Sequence, residues 1–439
     1  MTKEKESSGI FFGWWTVLAS GFLCLWGFGY NAYGISALFK PISLELGFNR
    51  ANTSIAAGIG RFQGGFEAPI AGWITDRFGP KWIVFIGILL AAISLLLMAF
   101  IHSLWSFLLV WGLLFGTGIN TALAIPLDTA ITNWFVKKRG VALSIKWVFS
   151  GISGAIILPM IAWLIPLVGW RTTCVIGGVV MGVVGLPLVL FFLKSNRPEY
   201  YGLLPDGAKI GEKITDQNFM INKGIEYAAE IQEVEFTLRQ AMKTPAFWWL
   251  IVVQAIYGLV SPAINIHCIP FLTDRGISPF TAAILMALMI AVSIPARYVG
   301  GLLSDRVQIG QMRHVIAGSY VMQAVGMGLY MLHQTEAMIY VWFILYGFGM
   351  GAALTLNTSI RARYYGRKAF GTIQGISSLF LTPVGVAAPI YAGWVYDSTG
   401  AYTNAFWLFT ILLVISSVIL PFVRPPKAPA VITDIRSIA

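Results

Sequence analysis

The sequence is poor in charge. Only 11% of its 439 residues are Asp, Glu, Lys or Arg, while 57% are hydrophobic; an ordinary soluble domain carries roughly 25% charged residues. Thirty basic and 19 acidic side chains cannot cover the surface of a soluble fold of this length. Cysteine is scarce as well, and Cys24, Cys174 and Cys268 all lie in apolar stretches, which indicates neither a disulfide framework nor a thiolate metal site. Four scattered histidines make no metal-ligating cluster. The chain lacks H-E-x-x-H, a paired-aspartate motif and a strand-to-helix G-x-S-x-G, so the usual marks of an enzyme are missing. The net charge of +11 is dispersed among hydrophobic spans and forms no patch the size of a nucleic-acid groove. The expectation is a protein without cofactor or metal, not an enzyme, whose solvent is lipid.

What the sequence has in abundance is long apolar runs. A transmembrane helix needs about 20 mainly apolar residues, and that length predicts spans near 12–37, 53–73, 82–101, 104–130, 141–165, 172–193, 245–270, 280–303, 314–332, 337–359, 371–395 and 405–423. Only helices and closed barrels satisfy their backbone in hydrocarbon, and runs this long exclude the alternation of a barrel strand. The predicted fold class is therefore all-α, a polytopic membrane protein of twelve transmembrane helices. Met1 to Ile10 leads into an apolar stretch reaching Phe39, longer than a signal-peptide core, so the first span is expected to be a retained helix. Lys and Arg concentrate in cytoplasmic loops. With the N-terminus inside, only Lys40, Arg50, Arg171 and Arg275 fall in outer loops, which predicts both termini in the cytoplasm and a cell inner membrane location.

The one long polar stretch, Lys194 to Thr244, divides the chain into 1–193, a linker 194–244, and 245–439 with a short cytoplasmic tail. Landmarks recur across it at an offset of 229 or 230 residues: Gly47 with Gly276, Gly72 with Gly301, Asp76 with Asp305, Trp134-Phe135 with Tyr364-Tyr365. Such internal repeats mark transporters that bind substrate between two halves and rock about that site. After the second span stands Gly72-Trp-Ile-Thr-Asp76-Arg77-Phe-Gly79-Pro80-Lys81, echoed by Gly301-Leu-Leu-Ser-Asp305-Arg306. This resembles the G-x-x-x-D-R-x-G-x-K loop of the major facilitator superfamily, and the resemblance covers nearly the whole chain. It implies two six-helix halves and a gate in which glycine allows close helix contact while Asp and Arg form an inter-helix charge cluster.

Within the superfamily the chain looks like the monocarboxylate transporter and oxalate/formate antiporter group. The residues that carry this are Gly13-Trp14-Trp15, the Trp134-Phe135-x-Lys-Lys138-Arg139-Gly140-x-Ala142 run, Ala296-Arg297, and Gly393-Trp394-x-Tyr396-Asp397-x-x-Gly400-x-Tyr402.

Charges inside the spans are candidates for function, because each costs about 2.5 to 3.5 kcal/mol at mid-bilayer even on the mildest scale. Arg297 stands eight residues before Asp305, roughly 12 Å from the membrane boundary at the rise of an α-helix. A guanidinium there can grip a carboxylate through two parallel hydrogen bonds, and the resemblance implies that role. Arg61 lies nearer the outer face, as a snorkelling residue, an acid's partner or a substrate contact. Lys146 is a substrate ligand or the ion-pair partner of Asp128. Glu67 and Asp128 are proton-coupling candidates, since a dry site disfavours the ionised carboxyl; neutralisation of Glu67 by Arg61 or Lys146 is the other reading. His267 is either an anion donor and proton carrier or a hydrogen-bonded packing residue. Asn31, Tyr33, Asn120 and Asn357 should face the protein interior, because lipid would leave them unsatisfied; they fall in spans one, four and ten, which resemble the cavity-lining helices of the superfamily, and are substrate-binding candidates, Asn120 first among them.

The chain also departs from the group. Tyr33 stands where animal monocarboxylate transporters have a lysine, and Ser293 where they have an aspartate. Nothing basic stands between Gly371 and Tyr396, where oxalate antiporters place a second cation. The expected partners are a small organic anion, a proton or counter-anion, and the bilayer, with a monomer as the working unit. Proton-linked monocarboxylate transport leads. Exchange of an oxalate-like, dicarboxylate or sulfonate anion is the alternative, and a membrane sensor, enzyme or drug exporter leaves the duplicated loop or Arg297 unexplained.

Overall fold

Glycine and proline punctuate the apolar runs, and several of the turns between helices fall at these residues. In the computed structural model, which describes residues 10–47, 50–208, 217–230 and 233–428, α1 comprises Phe12–Phe28, a π-helical turn Gly29–Gly34, and Ile35–Leu46. Helix α2 is Arg50–Phe78. Gly79, with φ of 82°, turns the chain into α3, Pro80–Leu97, whose first residue is the proline that an N-terminus accommodates. Helix α4, Leu104–Trp134, opens on a reciprocal Ser103 and Ser106 cap. Arg139–Phe192 is one apolar run broken at Gly169, whose φ of 79° no helix interior adopts; we number its parts α5 (139–168) and α6 (170–192). The second half holds α7 (Pro245–Thr273), α8 (Pro279–Arg306), α9 (Met312–His333), α10 (Glu336–Tyr365), α11 (Phe370–Thr399) and α12 (Thr403–Ile419).

Ten helices among the described residues are long and apolar enough to cross a membrane. Dividing one of them at Gly169 gives eleven. The twelfth is α2, whose Arg61, Gln63, Glu67 and Asp76 lower its hydropathy although it has 29 residues. The all-α, twelve-helix expectation therefore holds, and no strand occurs among the described residues. The π-helical turns in α1, in α4 (Leu108–Phe115) and in α6 (Met181–Gly185) have no counterpart in the sequence reading.

The apolar cores stay within the halves. One cluster unites α1, α3, α4, α5 and α6 around Trp111, Phe115 and Ile157, and others unite α7 to α12 around Phe271, Trp342, Tyr346 and Tyr364. Large side chains such as Ile70, Trp105, Ile390, Trp394 and Val418 point outward, as a surface bathed in hydrocarbon requires. The halves meet along two helix pairs, α2 on α11 and α5 on α8. Both contacts lie toward the end of the bundle that carries the α2–α3, α4–α5, α8–α9 and α10–α11 turns and the segment joining α6 to α7, here called the linker end. At the opposite, far end, α1 and α7 have little or no contact.

Glycine sets how close the helices come. A Cβ added to Gly351 of α10 would lie 2.2 Å from the carbonyl oxygen of Ser293, one turn before Arg297 in α8. Backbone cannot yield as a side chain can. Gly351→Val is therefore expected to destabilise the protein by about 1–3 kcal/mol, read as a lowered Tm of the purified protein; an unchanged Tm refutes this packing account.

Candidate functional site

Arg297 lies in the middle of α8 and is only 5% exposed. Its Nη1 donates to the carbonyl of Trp147 on α5. The guanidinium passes across Gly151, where a Cβ would stand 2.8 Å from Nη1, so only glycine leaves the space. Tyr33 and Tyr257 stand beside it, one from each half. Tyr33 belongs to the π-helical turn of α1, a device that re-aims successive side chains, and its ring packs over Gly154. No described carboxylate forms an ion pair with Arg297, and its Nε has no hydrogen-bond partner; the buried indole Nε1 of Trp147 has none either. A cation and two spare N–H donors are thus held near the junction of the halves.

The other candidates are bound more tightly to protein. Lys146 and Asp128 form an ion pair of 2.6 Å with both side chains sealed from solvent. Helix α4 is kinked at Ala124 (φ −85°, ψ −90°) two residues before Pro126, and Lys146 Nζ also approaches the Leu123 carbonyl there, at 3.5 Å. Gln374 of the opposite half donates to Asp128 Oδ2 at 3.3 Å. The arrangement has the form of a structural pair. Glu67 is different: Thr117 donates to its Oε1 at 2.7 Å and Gln63 also donates to it, while Oε2 is buried without a partner. No described basic side chain forms an ion pair with it. Arg61 lies on the same helix, but its side chain is outside the described residues.

Asn120 donates to the Gly60 carbonyl at 2.8 Å and ties α4 to α2. Asn357 and Tyr320 pair at 3.1 Å in the C-terminal half. Asn31 is partly buried beside Tyr33 in the π-helical turn. In His267, Nδ1 faces the Tyr402 hydroxyl at 3.3 Å and Nε2 the Pro389 carbonyl at 2.9 Å, so both ring nitrogens are engaged by protein.

The duplicated loops bridge the halves by contacts of a different kind from the expected charge cluster. Asp76, at the end of α2, accepts from the N–H groups of Gly371 (3.0 Å) and Thr372 (2.6 Å) and from the Thr372 hydroxyl, at the start of α11. Asp305, at the end of α8, accepts from the N–H groups of Gly140 (2.6 Å) and Val141 (2.8 Å), at the start of α5. Each carboxylate thus caps the positive N-terminus of a helix in the other half. Gly72 and Gly301 permit it, since a Cβ on either would meet the backbone of Gly371 or Gly140. Arg77 and Arg306 form no ion pair. Arg77 is exposed, lying over the rings of Trp73 and Phe78, and Arg306 is exposed as well.

The arginines that do bridge the halves were not singled out as contacts in the sequence, Arg139 standing there only within the run that carries the family resemblance. Arg139 pairs with Glu233 at 2.6 Å and donates to the Ala362 carbonyl at 2.8 Å; Arg367 pairs with Glu199 at 3.0 Å and with Glu233 at 3.3 Å. Asp206 accepts from the N–H groups of Val136, Lys137 and Lys138, fastening the linker beneath α5. Arg361 of α10 is also buried, bonded to Gln254 with no acid in an ion pair. The only signal for these in the sequence was acid in an otherwise basic loop.

Two tests follow from this geometry. Burial alone would raise the Glu233 carboxyl, but the Arg139 and Arg367 guanidiniums outweigh it and hold the group below the usual glutamate range. A depressed carboxyl stabilises the closed linker end above its free value of about 4.3, and the contribution is lost as pH falls through the lowered value. Spin labels at Lys138→Cys and Lys368→Cys should move apart as pH falls below about 4, and Glu233→Gln should remove this dependence. Lys146→Met should destabilise by about 3–5 kcal/mol by stranding Asp128, while Lys146→Met with Asp128→Leu recovers most of the loss; thermal unfolding of both variants decides.

Residues 21–319 and 308–437 match the sequence profile of the Major Facilitator Superfamily. Monocarboxylate transporter 12-B of Danio rerio is 26% identical over 96% of this chain and 90% of its own. The probable sulfoacetate transporter SauU of Cupriavidus necator is 25% identical over 81% of each. Among solved structures, the Escherichia coli fucose:proton symporter FucP superposes with a TM-score of 0.67 at 14% identity, over 94% of this chain and 98% of that one, a likeness of fold alone. The family and its structural neighbours are transporters rather than enzymes, and the chain, a multi-pass membrane transporter, belongs to the Major Facilitator Superfamily.

Proposed function

We propose that the protein carries a small monocarboxylate together with a proton by alternating access between its two halves. The observation that carries this reading is Arg297: a guanidinium 5% exposed, at the junction of α5 and α8, with no protein carboxylate to neutralise it. A mobile carboxylate supplies that counter-charge, and the Tyr33 hydroxyl stands beside it, whereas the Tyr257 hydroxyl is committed to the Met350 carbonyl at 3.1 Å. The names of the relatives agree in sign, since monocarboxylate and sulfoacetate are both organic anions.

Glu67 is the proton carrier in this reading. Its Oε2 has no partner, whereas Asp128 is committed to Lys146 and His267 to Tyr402 and Pro389. The working unit is a monomer in the cell membrane with both termini and the linker in the cytoplasm. Units 1–193 and 245–439 rock about the site, joined by 194–244. With the linker end held by Asp76, Asp305, Arg139 and Arg367, the site in this state opens toward the outside.

One observation favours the second reading, exchange of a dicarboxylate or sulfonate. Arg361 is a further buried cation without an ion-paired acid, and it lies in α10 one turn from Asn357.

Uptake into proteoliposomes separates the two. An imposed pH gradient should drive monocarboxylate accumulation without anion inside, whereas exchange requires a trans anion. Arg297→Lys removes the forked donor set and should raise the half-saturating concentration about 10- to 100-fold, as loss of one charged hydrogen bond implies. Glu67→Gln should abolish pH-driven accumulation while leaving counterflow. If Arg297→Lys transports normally, the anion-carrier reading fails.

A further inference from the structure

At the far end of the C-terminal half, away from Arg297, lies a cavity of about 590 Å³ bounded by the α7–α8 turn, the end of α9 and the start of α10. That volume is within the range of small-molecule sites. Its polar lining comes from Arg275, Ser278, Tyr330, Gln334, Glu336 and Tyr340.

Arg275 is held for contact with something. Its guanidinium lies over the rings of Phe271 and Tyr330, at 4.2 and 5.4 Å, which fixes its plane. Its Nη2 reaches the Thr403 hydroxyl only at 3.5 Å, and Nη1 has no hydrogen-bond partner. Glu336 lines the same cavity, is exposed, and is ion-paired neither with Arg275 nor with another described residue. Gln334, also in the lining, takes the left-handed conformation (φ 46°) that ends α9, its N–H donating to the Tyr330 carbonyl at 2.9 Å. A cation and a carboxylate that line one cavity without pairing with each other ask for a ligand carrying both charges.

The surroundings indicate how such a ligand is built. Phe280 and Ile284, on one face of α8 beside the cavity residues Thr281 and Leu285, are 76% and 52% exposed, and Leu332 of α9 is 65% exposed. An apolar strip therefore runs from the cavity along the outside of the bundle. We propose that this cavity binds the head group of a zwitterionic phospholipid, its phosphate on Arg275 and its ammonium on Glu336, with the acyl chains along Phe280 and Ile284. This site is separate from the transport path and does not depend on the substrate assigned above.

The test is thermal unfolding of the full chain in detergent, titrated with phosphatidylethanolamine, phosphatidylglycerol or free O-phosphoethanolamine. Phosphatidylethanolamine should raise Tm, since a ligand of the folded form must stabilise it, and the anion-only phosphatidylglycerol should raise it less. Arg275→Gln and Glu336→Gln should each abolish the difference. Arg275 also packs on Phe271 and Tyr330, so Glu336→Gln, with no protein partner to lose, carries the test if the arginine variant does not fold. A shift with free O-phosphoethanolamine as large as with the lipid identifies a soluble zwitterion as the occupant of the same site. Equal shifts with both lipids, no shift with any ligand, or a response intact in Glu336→Gln overturns the proposal.

Discussion

Placing a guanidinium or carboxylate inside an apolar bundle costs several kcal/mol unless a counter-charge or a set of hydrogen bonds meets it. The polar architecture of this transporter is arranged around that cost. Asp128 and Lys146 neutralise one another beside the α4 kink, where the Leu123 carbonyl takes a further approach from the ammonium. Asp76 and Asp305 are met by backbone N–H groups of the opposite half. Arg139 and Arg367 are met by Glu233 and Glu199. Against this background Arg297, buried with no ion-paired acid among the described residues and an unused Nε, stands out.

The same accounting explains why the halves close at the linker end. A carboxylate that caps a helix across the interface binds only when that helix start is within hydrogen-bond distance. Gly72 on Gly371 and Gly301 on Gly140 give the backbone approach. The two contacts are related by the repeat: the end of α2 on the start of α11, and the end of α8 on the start of α5. Separating them exposes two carboxylates and two helix N-termini at once, so each contact supports the other. The linker adds a third layer, since Glu233 touches both Arg139 and Arg367 and so binds only when the two halves are together.

Much of the fold was legible in the residues. Span length located the helices, the polar α2 included, and Gly72 and Asp76 recur at its end and at that of α8. Gly79 and Gly169 stand at the turns into α3 and α6. The gate was legible as a place but not as a mechanism. Arg77 and Arg306 follow their aspartates in sequence and suggest a charge pair, yet both are exposed, and the partner of each aspartate is main chain, which no residue type announces. Likewise Arg139 and Arg367 read as loop charge because their acids lie in the linker, far away in sequence. The π-helical turn that carries Tyr33 left no trace in composition.

In the function proposed above, Arg297 and Glu67 join two demands that conflict in a static protein. A binding cation must be dry enough to hold an anion strongly, and its partner must still leave. A permanent protein carboxylate at Arg297 would satisfy the charge and abolish binding; a solvated arginine would bind too weakly to select. Gly151 addresses this by bringing α5 close enough to enclose the guanidinium while the helix offers it the Trp147 carbonyl, and Gly154 makes room for the Tyr33 ring. Glu67, in the half opposite Arg297, keeps one carboxyl oxygen bound to Thr117 and the other without a partner. Protonation at that oxygen removes a buried negative charge, so in a dry bundle the anion on one half and the proton on the other are each easier to hold when both are present. The coupling then requires no contact between them, only a shared low-dielectric space that tolerates no net charge.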